Sequence, residues 1–313
     1  MTANYFGENE VNLSVQAGYD EFIYLGVFSP GGWIPVDMAL NHKGSVTFRN
    51  LEPNVIYQPL ISDGREHQAA GYPFIYTEKK KRILKPDTNH LKKAILKRKM
   101  SLCGGYKDFP HRGIIGSQIE GSLNRDFSKA DLLYKFNDTL QTNYCELIPP
   151  DTDKKYRYIR FVSPSDNILE LAEFAVFVDS TSKEPIKLNR IGDYPWPDSW
   201  LDKITDGDIL SYFSTSDSSC FVAYDLGRIT PIRKIVFSPR NDDNYIWPGD
   251  EYELFYQDGK NNWKSLGIQK AAGRELEYFV PDNALLWLRN RTKGREEQVF
   301  IYKDGKQYFT VDL

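Results

Sequence analysis

Cysteine, methionine and histidine are all scarce in this chain of 313 residues, and each scarcity removes a class of chemistry. Cys103, Cys145 and Cys220 cannot all pair with one another, and none stands in a Cys-x-x-Cys pair, so neither a disulfide framework nor a zinc knuckle is specified. A single Cys103–Cys145 bridge is compatible with the sequence and not required by it. The histidines, His42, His67, His90 and His111, are scattered, and none adjoins a serine or cysteine nucleophile motif. There is no His-Glu-x-x-His and no glycine-rich phosphate loop. No apolar run approaches the roughly 18 residues of a membrane span. The start, MTANYFGENEVNL, lacks a charged region followed by an apolar core. Its abrupt entry into a strand-like run reads as an excised piece of a longer protein, with any export signal lying upstream. Excess charge is missing too: 40 Lys and Arg against 43 Asp and Glu give a net charge of −3, which provides no global attraction for nucleic acid.

What the chain has is aromatic and alternating. It carries 20 Tyr, 18 Phe and 6 Trp, and turn residues punctuate short runs of period two, the pattern of antiparallel β structure. Up to about Arg82 the runs VNLSVQA, EFIYLGVFS, GWIPVDMAL, GSVTFRNL, VIYQPLIS and YPFIYTE are separated by turn signals, which predicts a small antiparallel β domain over 1–82. Lys79 to Arg82, then Lys92, Lys93, Lys97, Arg98 and Lys99, form a basic stretch; with few aromatics interleaved it reads as a solvated linker and a strand with a charged outer face. A second unit is expected over 83–182 and a third over 183–313. Tyr156–Arg160 and Leu171–Phe177 resemble Leu286–Arg289 and Glu296–Tyr302, a weak internal repeat suggesting two copies of one sandwich.

The stretch from Ile235 to Gly267 organises the third unit. Tyr252, Leu254 and Tyr256 alternate with Glu251, Glu253 and Phe255 as on a pleated strand, and Asp258-Gly259 carries a hairpin signal. Between the strands lies Arg240-Asn241-Asp242-Asp243-Asn244-Tyr245-Ile246-Trp247-Pro248-Gly249, too polar for a core and too aromatic for a linker, which suits a binding loop.

In order, Thr205-Asp206-Gly207-Asp208, Tyr212-Phe213, Phe221 to Gly227 ending in Asp-Leu-Gly, Pro231 to Ile235, Tyr252 to Trp263 and Trp287-Leu288-Arg289 resemble the discoidin or coagulation-factor type C domain, a galactose-binding-like jelly roll. The resemblance covers about Pro185 to Tyr302; the middle unit keeps only the second half of the pattern and lacks the Asp-Gly-Asp turn. The first unit is similar to the small β domains that accompany transglutaminase-like or peptidase-like cores in multidomain bacterial surface proteins. The fold class implied is all-β: a small antiparallel domain followed by two galactose-binding-like β-sandwiches.

The resemblance also implies sites. A structural Ca2+ would be held by Asp206 and Asp208, with oxygens near Lys203 and Ser211 and the carboxylate of Glu297; calcium takes six to eight oxygens. The plainer alternative is a turn whose side chains bond their own backbone. Glycan binding needs an aromatic face for the C–H patch of a pyranose and planar polar groups for its hydroxyls. Arg240, Asn241, Asp243, Tyr245 and Trp247 offer both, Trp196 and Trp200 offer a second aromatic wall, and Arg289 lies on a loop at the same expected end. Against this, Trp200 and Trp247 also suit plugs at the ends of a sandwich, and Arg240 suits an ion pair with Asp242 or Asp243. Glu251 and Glu253 share a strand face as a glycosidase pair would, but as surface carboxylates they need no such role.

The functional expectation is a non-catalytic, carbohydrate-binding accessory region of a secreted, periplasmic or cell-surface protein, its partners a glycan or glycoconjugate and the neighbouring domains of a longer chain, with no nucleic acid and no membrane insertion. One alternative is a structural spacer or protein-interaction module without a glycan ligand; another is a glycan-processing hydrolase built on paired jelly rolls.

Overall fold

The computed structural model describes residues 10–15, 21–29, 32–77, 80–101, 114–138, 140, 142, 144–164, 170–179, 181–215, 220–241, 243–259, 263–294 and 297–310. These residues are all-β, with one short α-helix among them. The chain divides into two compact units, one formed by 1–101 together with 245–313 and the other by 102–244.

In the first unit the N-terminal strands are β1 (Val11–Ser14), β2 (Phe22–Ser29), β3 (Gly32–Leu40), β4 (Ser45–Phe48), β5 (Ile56–Ser62), β6 (His67–Ala69), β7 (Phe74–Thr77) and β8 (Lys80–Ile83). They form a sheet of order β3-β2-β5-β7-β8, with β6 added beside β5, and a separate β1-β4 ribbon. Alternation explains the core: Val11, Leu13, Ile23, Leu25, Val46, Phe48, Phe74 and Tyr76 all point into one buried cluster. Each such side chain contributes about 1.5–3 kcal/mol by leaving water. The strand pattern of the sequence marks β1 to β5 and β7 but not β6, and the basic Lys80–Arg82 run, expected to be a linker, forms an exposed edge strand, where charge discourages pairing with another chain.

The rest of this unit comprises β9 (Asp87–Leu96), β19 (Glu251–Gln257), β20 (Trp263–Lys270), β21 (Leu276–Asp282), β22 (Leu285–Asn290), β23 (Val299–Lys303) and β24 (Lys306–Phe309). A five-stranded sheet of order β20-β19-β22-β23-β24 and a β21-β9 ribbon enclose a core that includes Tyr252, Leu254, Tyr278 and Phe300. Tyr252 and Leu254 are buried and Glu251 is exposed, as the alternation requires. Lys92 and Lys93 on β9 meet Asp282 at 2.5 Å and Glu277 at 2.7 Å on β21, so two members of the basic stretch are neutralised within the ribbon.

The second unit comprises β10 (Gln118–Ser122), β11 (Ala130–Lys135), β12 (Cys145–Leu147), β13 (Lys155–Val162), β14 (Glu170–Phe177), β15 (Asn189–Ile191), α1 (Asp198–Leu201), β16 (Phe213–Ser214), β17 (Phe221–Pro231) and β18 (Lys234–Pro239). One sheet runs β11-β10-β13-β17-β15 and the other β12-β18-β14-β16. Their inner faces share a core built on Ile119, Ile159, Phe161, Phe174, Val222, Tyr224 and Phe237.

The boundaries of these units differ from those expected at 82/83 and 182/183. β17 and β18 pair with β13 and β14 across the second expected boundary, and β9 pairs with β21 far along the chain. Local alternation marks a strand but does not name its partner. The internal repeat likewise has no common topology: β22 and β23 are hydrogen-bonded neighbours, whereas β13 and β14 lie in different sheets. Cys145 is part-buried and Cys220 is buried. Cys103 falls outside the described residues, as do Lys79, His111, Asp242, Arg295 and Glu296. No helix among the described residues is long and apolar enough to cross a membrane.

Candidate functional site

The expected binding loop leaves β18 at Pro239 and is engaged with its own unit. The Arg240 guanidinium meets Glu170 at 3.0 Å and lies 4.5 Å from the centre of the Tyr212 ring. Ser214 donates its hydroxyl to the same Glu170 oxygen at 3.0 Å. Asn241 is only 6 % exposed; its amide nitrogen donates to the Ile209 carbonyl at 2.6 Å, and its amide oxygen accepts the Asp243 N–H at 3.1 Å. Asp243 is buried and adopts φ +62°, the left-handed conformation that Asn and Asp tolerate best after Gly. Arg240 and Asn241 thus fix the exit from β18. The plainer alternative paired Arg240 with Asp242, which lies outside the described residues, or with Asp243; Glu170, about seventy positions away, is an ion-pair partner of Arg240.

The compact-unit boundary falls inside the loop, between Asn244 and Tyr245. Tyr245 is fully buried, and its ring centre is 5.1 Å from that of Trp247. Trp247 is half-buried; Lys293 places its ammonium 3.9 Å from the Trp247 ring centre, and Arg274 lies 5.8 Å away. Arg289 is exposed and covers Trp287 at 4.8 Å. The expected glycan set is therefore divided: Arg240, Asn241, Asp243, Trp196 and Trp200 belong to one unit, and Tyr245, Trp247 and Arg289 to the other.

The expected calcium set is divided in the same way, with Asp206, Asp208 and Ser211 in the second unit and Glu297 in the first. Asp206 accepts the Asp208 N–H at 2.8 Å and the Ser211 hydroxyl at 2.7 Å, and Asp208 accepts the Leu210 N–H at 3.0 Å. That is the self-bonded turn of the plainer alternative. Glu297 accepts the Asn290 N–H at 3.0 Å, and burial raises its pKa. Among the described residues no group of three His, Cys, Asp or Glu side chains is placed to hold a metal ion.

The carboxylate that does meet the Asp206–Asp208 turn is Glu173 of β14. It is 5 % exposed and accepts the Gly207 N–H at 3.0 Å. Desolvation, reinforced by Asp206 and Asp208, pushes its pKa up to about 7. Gly207 has φ +80°, which glycine adopts without strain. A lone acid within the apolar run Leu171-Ala172-Glu173-Phe174-Ala175-Val176-Phe177 was the sequence signal for it.

A more open surface lies on the outer face of the five-stranded sheet in the second unit. The register pairs Glu120 with Leu132 and with Arg160, Arg160 with Ala223, and Val162 with Phe221, so these side chains share the face opposite the core. Phe221 is 43 % exposed and Leu132 is 50 % exposed. The Arg160 guanidinium pairs with Glu120 at 2.7 Å, and its carbon lies 4.5 Å from the centre of Phe127 and 5.8 Å from that of Phe221. Tyr194 continues the row 6.2 Å from Phe221 and stacks at 6.2 Å on Trp196, which in turn abuts the buried Phe213 at 5.2 Å. The Tyr194 hydroxyl spans Ala223 N–H and Ile191 C=O, each at 2.9 Å, which locks the ring to β17. Trp200 projects from α1 with 51 % of its surface exposed, and Arg190 holds that helix through Asp198 and Asp202. Sequence reasoning named Trp196 and Trp200 within the aromatic segment Asp193–Trp200, which also holds Tyr194, and missed Phe221 and Arg160 as site residues, which sit in ordinary strand contexts and are joined to that segment only through the sheet.

No protein-family model matches the chain, and comparisons with curated proteins and with solved structures find no match. The stretch that carries the discoidin resemblance, Pro185 to Tyr302, is shared between the two compact units.

Proposed function

We propose that the chain is a non-catalytic, carbohydrate-binding accessory region of a larger surface or secreted protein, and that its glycan surface is the row Arg160–Phe221–Tyr194–Trp196, with the buried Phe127 ring packed against Arg160. The observation that carries this reading is the exposed Phe221 ring, flanked by the Arg160–Glu120 pair on one side and the Tyr194–Trp196 stack on the other. Aromatic faces offer a flat apolar platform to pyranose C–H groups, and a guanidinium with a carboxylate offers planar donors and acceptors to hydroxyls.

A second reading, a spacer without a glycan ligand, is favoured by the inward engagement of Arg240, Asn241 and Tyr245. A glycan array probed with the full chain, in calcium and in chelator, separates the two. The proposal expects binding that is lost in Phe221→Ala and kept in Arg240→Lys. Absence of binding to any glycan in both conditions refutes it and leaves the spacer.

A further inference from the structure

We propose that the N-terminal β domain carries a separate site for a small amphiphilic carboxylate, an apolar tail bearing one anionic head. The site is a cavity of about 320 Å³ walled by Leu13, Val15, Pro59, Ala70, Tyr72 and Ile83, with Lys81 at its polar side. That volume is at the lower end of ligand pockets, which run from about 300 to 1,000 Å³.

Sheet register gives an independent reason to regard the space as an unfilled seat. Lys81 pairs with Tyr76 and Ile83 with Phe74, so Lys81 and Ile83 lie on the face whose other members, Phe74 and Tyr76, are buried in the core. An isoleucine on the inner face of a sheet ordinarily has protein packed against it. Ile83 remains 45 % exposed. Leu13 of β1 and the following Val15 are core residues of this unit and line the cavity together with Ile83. The hairpin end at Gly259 closes another side: its φ is +76°, and a Cβ there would overlap the Tyr72 ring, so glycine lets the turn and the ring meet at the cavity wall.

The head-group preference follows from the cations. Lys81 donates to the Asn12 carbonyl at 2.6 Å, which fixes its ammonium and uses one of three N–H donors. Lys85 stands 5.6 Å from the centre of the Tyr72 ring and adds a second positive charge beside the wall. None of the residues lining the cavity is acidic. An anionic head at Lys81 with an alkyl tail against Leu13, Val15, Ala70 and Ile83 matches both the charge and the apolar walls; a cationic amphiphile matches only the walls.

Sodium octanoate, octanol and octylammonium are the probes, titrated into the full chain by calorimetry and by amide chemical shifts. Octanoate is expected to bind saturably at one site, to shift the Ala70, Gly71 and Tyr72 amides, and to bind at least about tenfold tighter than octylammonium, the scale of one charge-assisted hydrogen bond. Lys81→Gln is expected to weaken octanoate about tenfold while leaving octanol unchanged, and Ile83→Trp, which fills the cavity from an exposed edge strand, to abolish both. Octanoate binding that is absent in the parent chain, shifts confined to residues away from the cavity, or equal affinity for the three head groups would overturn the proposal, and these readouts in the parent chain hold whether or not the variants fold.

Discussion

Glu173 provides a direct test of the electrostatics in the second unit. Its carboxyl is buried in β14 against the Asp206–Asp208 turn, and its pKa stands at about 7 against an ordinary 4.5. Because the folded-state pKa is raised, the protonated form is the one the fold prefers. The associated stability is fully present below about pH 4.5 and declines as pH rises through 7, where the buried charge must form beside two like charges. A gap of this size corresponds to roughly 3 kcal/mol between the two limits. Glu173→Gln keeps an oxygen for the Gly207 N–H and cannot ionise. Urea unfolding of the parent and the variant from about pH 5 to pH 8.5, at constant m, isolates the group, because the other titrating residues cancel in the difference. The glutamine variant is expected to gain on the parent as pH rises towards 7, by up to about 3 kcal/mol, and the difference to level off above it. A difference that stays constant with pH, or that moves in favour of the parent, would refute the assignment of the buried acid.

Three other perturbations check the packing around the sites. Asn241→Ala removes the donor to the Ile209 carbonyl and the acceptor for Asp243, and is expected to cost about 1–3 kcal/mol in chemical denaturation without changing glycan binding beyond the loss of folded protein. Gly259→Ala forces a side chain into the Tyr72 ring at positive φ and is expected to cost about 1–3 kcal/mol, read as a lowered thermal midpoint. Trp200→Ala, on an exposed position of α1, is expected to leave stability within about 0.5 kcal/mol; fluorescence titration with an array-identified glycan then shows whether Trp200 extends the Phe221 platform.

The strands were legible because alternation is local. Val11 to Ser14, Phe22 to Ser29 and Gly32 to Leu40 can each be read from period two and the turn residues beside them. Partnership was not legible, because it depends on register between distant segments. Glu277 of β21 shows a strand face with charge, yet only the structure puts Lys93 of β9 beside it. The same limit governed the sites. Asp206, Asp208 and Ser211 are close in sequence and are found together, whereas Glu297 was added by resemblance and lies in the other unit. The acid that reaches the turn, Glu173, precedes it by more than thirty positions.

The loop at Arg240–Trp247 shows why composition alone misdirects a search for function. A loop rich in Arg, Asn, Asp and aromatic residues has the groups a sugar needs, but the same groups can satisfy backbone polar atoms where a strand ends and the chain leaves one compact unit for the other. Asn241 bonds the Ile209 carbonyl and the Asp243 N–H, Arg240 neutralises the nearly buried Glu170, and Tyr245 disappears into the first unit's core. Those are demands of folding, and Arg240 and Asn241 are engaged in meeting them. The outer face bearing Phe221 differs physically: its ring is 43 % exposed beside Arg160 and Tyr194, on a sheet whose opposite face supplies the core. Exposed aromatic surface held rigid by sheet register, rather than polar richness in a loop, is the feature that argues for a ligand here.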